Sequence, residues 1–391
     1  MRKVVITAAK RTPVGSFNGA LSTFSAAQLG SIAIKGILEE SKIDVNLIDE
    51  VIFGNILTGG QGQAPARQAA LFAGLPVKTE CLTINKMCGS GLKAVMLAQQ
   101  AIALGDADII IAGGQESMTN APYLLPKARS GYRLGNGEIV DMMIKDGLWD
   151  VYNNIHMGSC AESCARDFSF KREELDEFAI NSYKKALDAQ KTGKFKDEII
   201  KVAIKSKSGE TFVEDDEEPG RVLFDKITSL KPVFEKDGVV TAANASSIND
   251  GAAALLVMSE DKAKELGLKP LVEIVAQSSA ARAPIEFTTA PADAILKVLS
   301  KAKLKKGDID LFEINEAFAV VSLAVNKILG LDPSKINVNG GAVAIGHPIG
   351  ASGARILVTL IHEMKKRNSN YGLASLCIGG GEASALIVKK P

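Results

Sequence analysis

Cys88 stands in the run N-K-M-C-G-S-G at positions 85–91, and it is the residue whose surroundings best suit nucleophilic chemistry. Glycines at 89 and 91 permit a tight turn, and Leu92, Val95, Met96, Ile102 and Ala103 then fall at helical spacing. Leu82, Thr83 and Ile84 ahead of it read as a short strand. A thiol at such a strand-to-helix turn meets the free N–H groups and the positive dipole end of the helix, which lowers its pKa and favours the attacking thiolate. A small cysteine packed beneath a helix would show the same local pattern. Partners elsewhere in the chain must separate the two readings.

Three further positions offer such partners. The chain has 3 histidines. His347, in G-H-P-I-G-A-S-G-A-R at 346–355, again stands just before a helical stretch, here 351–365, and suits a general base. Cys377, in S-L-C-I-G-G-G-E-A-S, ends an apolar strand and leads into glycines whose amides could face an oxyanion. Alone it reads equally as buried filler. Beside a first thiol it suggests proton transfer at carbon, because a thiol has an acidity useful for making or quenching an enolate. Asn315, in N-E-A-F, could orient a water or hold an oxygen, or simply cap a helix.

The elements that must position these residues repeat. Strands and helices alternate over the first third: strands at 3–8, 49–56 and 107–112, helices near 25–41 and 64–73. That alternation predicts a layered α/β domain. From about 120 to 250 the pattern loosens into a loop-rich lobe with one clear helix at 172–190 and an acidic run at 214–218. Then the chain begins again. L-V-E-I-V-A at 271–276 is similar to V-V-I-T-A-A at 4–9, and D-L-F-E-I-N at 310–315 to E-V-I-F-G-N at 50–55. Phe53 to Cys88 and Phe312 to His347 are both 35 positions, and glycine-rich turns follow at 113–117 and 379–384. Duplication makes His347 the counterpart of Cys88 and predicts that the two turns meet. The expected domains are 1–119 plus 251–268, an inserted lobe at 120–250, and 269–391.

Composition narrows the function classes. The 391 residues suffice for two or three domains. A formal net charge of +1, from 46 basic and 45 acidic residues, leaves no footprint for nucleic acid or an anionic membrane. Five cysteines, an odd number without framework spacing, point to free thiols in a reducing compartment. Cys160 and Cys164 lack the companions of a zinc site. The chain runs from Met1 directly into a strand, and no apolar run reaches membrane-spanning length, so a soluble cytoplasmic protein is expected, a processed mitochondrial form being the alternative.

Taken together the motifs resemble the thiolase family over essentially the whole chain, most closely its short-chain acetoacetyl-CoA branch. They are N-K-M-C-G-S-G, H-M-G-S-C-A-E at 156–162, T-A-A-N-A-S at 241–246, N-E-A-F, the 339–355 run and C-I-G-G-G. The resemblance implies a duplicated α/β thiolase fold, a five-layer αβαβα sandwich of two five-stranded mixed sheets with an inserted loop lobe. It implies that Cys88 carries an acetyl group, that His347 activates its thiol, and that Cys377 exchanges a proton with the substrate's methyl or enolate. Asn315, through a water, and His347 would stabilise the enolate oxygen, and the amides of Cys88 and Gly379 would form the oxyanion hole. Coenzyme A would be met by Tyr183, Arg221, Val222, Leu223, Lys226, Ser246, His156, Met157 and Phe318.

Similarity to the potassium-activated mitochondrial-type enzymes further implies a potassium ion held by Tyr183 and the carbonyls of Ala242, Ala243, Ala245 and Val343. The implied reaction joins two acetyl-CoA into acetoacetyl-CoA plus CoA, reversibly and by ping-pong kinetics. No covalently bound cofactor is implied, and the assembly would be a homotetramer formed through residues 120–147. A broader 3-ketoacyl-CoA thiolase and a non-catalytic acyl-CoA or lipid carrier are the alternatives. Two departures bear on detail: Pro219-Gly220 precedes Arg221 where a tyrosine occurs in similar enzymes, and Glu382 follows the glycine run where a smaller or amide residue is usual.

Overall fold

The computed structural model describes residues 2–206 and 209–391. The first half contributes strands β1 (Val4–Arg11), β2 (Glu50–Gly54), β3 (Glu80–Ile84), β4 (Ile109–Ser117) and β5 (Asn249–Ser259). Its helices are α1 (Ala26–Ser41), α2 (Pro65–Phe72) and α3 (Ser90–Leu104). The lobe between β4 and β5 carries α4 (Met157–Asp167), α5 (Arg172–Lys191) and three small hairpins. The second half comprises β6 (Val272–Ala281), α6 (Ala290–Ala302), β7 (Leu311–Ile314), α7 (Ala319–Leu329), α8 (Ser352–Arg367), β8 (Tyr371–Ile378) and β9 (Glu382–Lys389).

Pairing confirms the duplication. In the first half β2 lies parallel to β4, β4 antiparallel to β5, and β5 antiparallel to β1. In the second half β7 lies parallel to β8, β8 antiparallel to β9, and β9 antiparallel to β6. Two features differ from separate five-stranded sheets. First, β1 pairs with β6 at Val5–Glu273 and Ile6–Val272, so the halves share one continuous path. Second, the counterpart of β3 is reduced to one parallel bridge, Phe312–Ile336. Asn337 explains that reduction. Its side chain accepts from the Ile314 N–H at 2.9 Å and donates to the Ile314 carbonyl at 2.8 Å, replacing the bonds a fifth strand would make.

Alternation along the strands builds three apolar layers. Ile110 and Ala112 face inward onto α3 and α8, together with Leu376 and Ile378 from the second half. Ile109 and Ile111 face outward onto α1 and α2. Phe312, Ile314 and Leu373 face outward onto α6 and α7. The central helices approach closely because glycines sit where they touch. A methyl at Gly91 would collide with the Ala354 backbone nitrogen, and one at Gly353 with the Leu92 nitrogen. This contact brings the starts of α3 and α8, and hence the turns before them, together.

Candidate active site

Cys88 and His347 line one pocket of about 280 Å³ with Gly379, at the junction of the halves. The Cys88 turn is tight: Met87 adopts a left-handed backbone (φ 45°), its N–H bonded to Asn85 Oδ1 at 3.0 Å. Ser90 Oγ accepts from the Lys86 N–H at 2.8 Å and donates to the Met87 carbonyl at 2.6 Å. A side chain at Gly89 would run into Ile378, so the turn rests on the strand end that carries Cys377 and Gly379. The backbone N–H groups of Gly379 and of Cys88 itself both point at the sulfur.

The thiol is nevertheless not acidified. Burial pushes Cys88 up to about 11, against the two N–H groups that favour the thiolate, with the Glu116 carboxylate adding to the rise. This corrects the expectation of a lowered pKa. A helix terminus contributes about 0.3–1 kcal/mol, rarely ~2, whereas a thiol at 11 leaves the thiolate roughly 5 kcal/mol uphill at pH 7. The difference must come from a base.

His347 has the features such a base would need. Burial and the nearby Arg355 guanidinium hold its pKa down to about 3, so the ring is neutral. Its Nδ1 lies 2.6 Å from Ser352 Oγ. The Ser352 hydroxyl donates its single proton to the Pro348 carbonyl at 2.9 Å, so Nδ1–H must be the donor in the first contact. That assignment leaves a lone pair on Nε2, which has no partner in the protein. The backbone is fixed as well, the His347 N–H donating to Asn249 Oδ1 at 2.8 Å.

The other residues singled out from the sequence fall into three groups. Cys377 and Asn315 are not among the residues that line the pocket, although Cys377 neighbours Cys88. Cys377 is fully enclosed and its thiol is raised well above the usual range by burial and then by the neighbouring Cys88. Asn315, also buried, has neither side-chain atom partnered, as suits an amide that receives a water or an enolate oxygen.

Ser246, His156, Met157, Phe318 and Ala245 line the pocket itself. His156 Nδ1 accepts from the Gly158 N–H at 3.0 Å, and its ring stacks on Phe234 at 4.8 Å between centroids. Burial holds it neutral, so its proton sits on Nε2.

Arg221, Leu223 and Lys226 lie outside the pocket on an exposed stretch. Val222 packs half-buried on the cluster containing Tyr183 and Val343, and Phe224 meets the Tyr183 ring edge-on. Ala243 is buried and Ala242 exposed. Of the two departures, Glu382 forms an ion pair with Lys86 in the Cys88 turn, and Pro219 is buried at the start of a short turn ending at Arg221. Sequence reasoning missed Ser352, Asn249, Phe287 and Ile349. Ser352 and Ile349 had a signal, both lying within the motif that carries His347.

Comparison with known proteins agrees with this arrangement. Residues 4–261 match the thiolase N-terminal domain family and residues 268–390 the thiolase C-terminal domain family. The chain belongs to the thiolase family. An acetyl-CoA acetyltransferase of Cupriavidus necator is 54% identical over 392 residues, covering 100% of both chains. The mitochondrial acetyl-CoA acetyltransferase of Bos taurus is 52% identical over 100% of this chain and 92% of its own. Among solved structures, a Bacillus anthracis acetyl-CoA acetyltransferase superposes with a TM-score of 0.98 at 44% identity, covering 100% and 99% of the two chains. An Ascaris suum thiolase in complex with coenzyme A gives 0.95 at 44% identity with both chains covered fully. In this thiolase, among the described residues, no helix is long and apolar enough to cross a membrane.

Proposed function

We propose that this thiolase is an acetyl-CoA C-acetyltransferase, joining two acetyl-CoA into acetoacetyl-CoA plus CoA and running the thiolysis in reverse. The observation that carries this reading is a protonated thiol, Cys88, sharing a pocket with a neutral imidazole whose Nε2 lone pair is free. His347 Nε2 takes the Cys88 proton as the sulfur attacks the thioester carbon. The tetrahedral oxyanion is met by the N–H groups of Cys88 and Gly379, and the Cys377 thiol gives its proton to the departing CoA sulfur, leaving Cys377 a thiolate and the Cys88 proton on His347 Nε2. Acetyl-Cys88 remains.

A second acetyl-CoA then loses a methyl proton to Cys377. The charge passes to its thioester oxygen, which accepts from the His347 Nε2–H that carries the former Cys88 proton and from a water on Asn315. The carbanion attacks acetyl-Cys88, the new C–C bond forms, and Cys88 leaves as thiolate and takes its proton back from His347 Nε2, while Cys377 keeps the methyl proton as its thiol. Cys377 needs its high pKa for this step, because its thiolate must be basic enough to take a proton from carbon.

The pocket, about 280 Å³, is small for a ligand site, and the bulky Met157, Phe287 and Phe318 are among its lining residues, which supports a short acyl group over the broader 3-ketoacyl alternative. Steady-state thiolysis of acetoacetyl-CoA against longer 3-ketoacyl-CoA tests it. Parallel double-reciprocal lines and a short-chain preference are expected, and a long-chain preference contradicts the assignment.

Coenzyme A would lead outward past Ser246 and His156 toward Arg221 and Lys226, whose cations suit its phosphates. Tyr183 and the carbonyls of Ala242, Ala243, Ala245 and Val343 would hold potassium. In support, Tyr183 is buried with its hydroxyl beside Glu218 and Glu316, and burial and those charges push it up to about 12. A cation there would offset that charge and stiffen the floor beneath Arg221. Equal rates in potassium and sodium salts would remove this site. A cytoplasmic homotetramer completes the proposal, checked by light scattering and fractionation.

A further inference from the structure

The four contacts of Glu116 are all donors, and they come from both halves of the molecule. The carboxylate is fully buried at the end of β4. Oε1 accepts from Asn55 Nδ2 at 2.7 Å and the Leu57 N–H at 3.2 Å. Oε2 accepts from the Ile56 N–H at 3.0 Å and the Gly350 N–H at 3.0 Å. Among the described residues it forms no ion pair. Gly350 ends the Pro348–Ile349–Gly350 segment that directly follows His347, and Ile349 lines the pocket. That segment sits on β4 backbone to backbone, since a methyl at Gly114 would strike the Gly350 carbonyl and one at Gly350 would meet Glu116 Oε2 at 2.6 Å.

We propose that Glu116 is a positioning residue for the acetyl transfer: its carboxylate pins the turn that carries His347 to the Asn55–Leu57 segment of the other half and thereby sets the approach of the imidazole to Cys88. A carboxylate suits the place because every neighbour offers a proton and none accepts one. A glutamine would turn its NH2 toward two of those donors and push the segment away. A buried, unpaired carboxylate is costly to keep, and a merely structural tie between two turns could be made by a neutral acceptor. Its charge also reaches the thiol, raising the Cys88 pKa alongside burial. Glu116 itself is pushed up by burial to about 7, against the donors that favour its ionised form.

This inference rests on the proposed acetyl-transfer reading. Its test compares Glu116→Gln and Glu116→Asp with the parent enzyme in two assays: thiolysis of acetoacetyl-CoA, and alkylation of Cys88 by iodoacetamide as a function of pH, followed by peptide mass. For Glu116→Gln, kcat is expected to fall about 100-fold, as for a displacement of about 1 Å between reacting groups, with KM within about threefold. The midpoint of Cys88 alkylation is expected to move to lower pH as the charge is lost. Glu116→Asp keeps the charge, so its alkylation midpoint should stay near the parent's while kcat falls less. A Glu116→Gln enzyme with parental kcat and alkylation profile overturns the proposal. If Glu116→Gln does not fold, a Glu116→Asp enzyme with parental kcat overturns it equally. Failure of the parent itself to cleave acetoacetyl-CoA would instead overturn the reading of function.

Discussion

The turns before α3 and α8 occupy corresponding places in the two halves, and both helices begin Ser-Gly, at Ser90-Gly91 and Ser352-Gly353. They differ in length. Cys88 stands two residues before its serine and His347 five before its own. In the shorter turn the Ser90 hydroxyl closes on the backbone of Lys86 and Met87. In the longer one the Ser352 hydroxyl still reaches a backbone carbonyl, but its acceptor lone pair now meets the His347 ring. Surroundings diverge too: Asn85 is exposed and Cys88 half-buried, whereas 339–364 is buried throughout. One duplicated turn carries a half-buried thiol, the other a buried imidazole held in a single tautomer.

The contrast can be broken at several points. Cys88→Ala removes the acyl carrier, and thiolysis is expected to fall by at least about 10⁴-fold, read as kcat. His347→Ala leaves a thiol with no base, and a loss of about 10²–10⁴-fold in kcat/KM is expected. A loss under tenfold would mean that something else deprotonates Cys88. Gly353→Ala tests the close approach of the two helix starts. Overpacking typically costs about 1–3 kcal/mol, to be seen as a lower midpoint in urea with unchanged slope.

The neutral pairing also makes a statement about pH. Alkylation of Cys88 should keep rising well past pH 9 toward its midpoint near 11, whereas a plateau near neutrality would mean a resting thiolate–imidazolium pair. For His347 the folded pKa lies below the unfolded one. Its contribution to stability is therefore present above about pH 6.5 and lost as pH falls toward 3, because only the unfolded chain takes up the proton. The smallest effect is expected for Glu382→Gln. Its partly exposed pair with Lys86 should contribute no more than about 1 kcal/mol, so stability and kcat should barely move.

Much of this was legible in the sequence, for reasons visible in particular residues. The equal spacing from Phe53 to Cys88 and from Phe312 to His347 reflects one strand–turn–helix unit used twice, and local patterning carries such units. The β1–β6 pairing and the loss of the fifth strand to Asn337 were not legible, since both depend on which backbone groups meet across the sheet. The sign of the Cys88 shift was misread for a related reason. A helix start shows in local sequence, while the burial that outweighs it is contributed by residues from distant segments, among them Ile56, Met118 and Ile349. The pocket-lining Ser246, His156, Met157 and Phe318 lie in motifs visible in the sequence, whereas Glu116, though it lies in the glycine-rich 113–117 turn, meets Gly350 on the other half only in the fold.

The account stands or falls on Cys88 as the acyl carrier. Rapid mixing with acetoacetyl-CoA, acid quench and peptide mass spectrometry measures it directly. An added acetyl group is expected on the peptide that holds Cys88 and on no other, and it should be absent from the Cys88→Ala enzyme. An unmodified Cys88 peptide in an enzyme that turns over, or acetyl on the Cys377 peptide instead, would contradict the division of labour between the two turns.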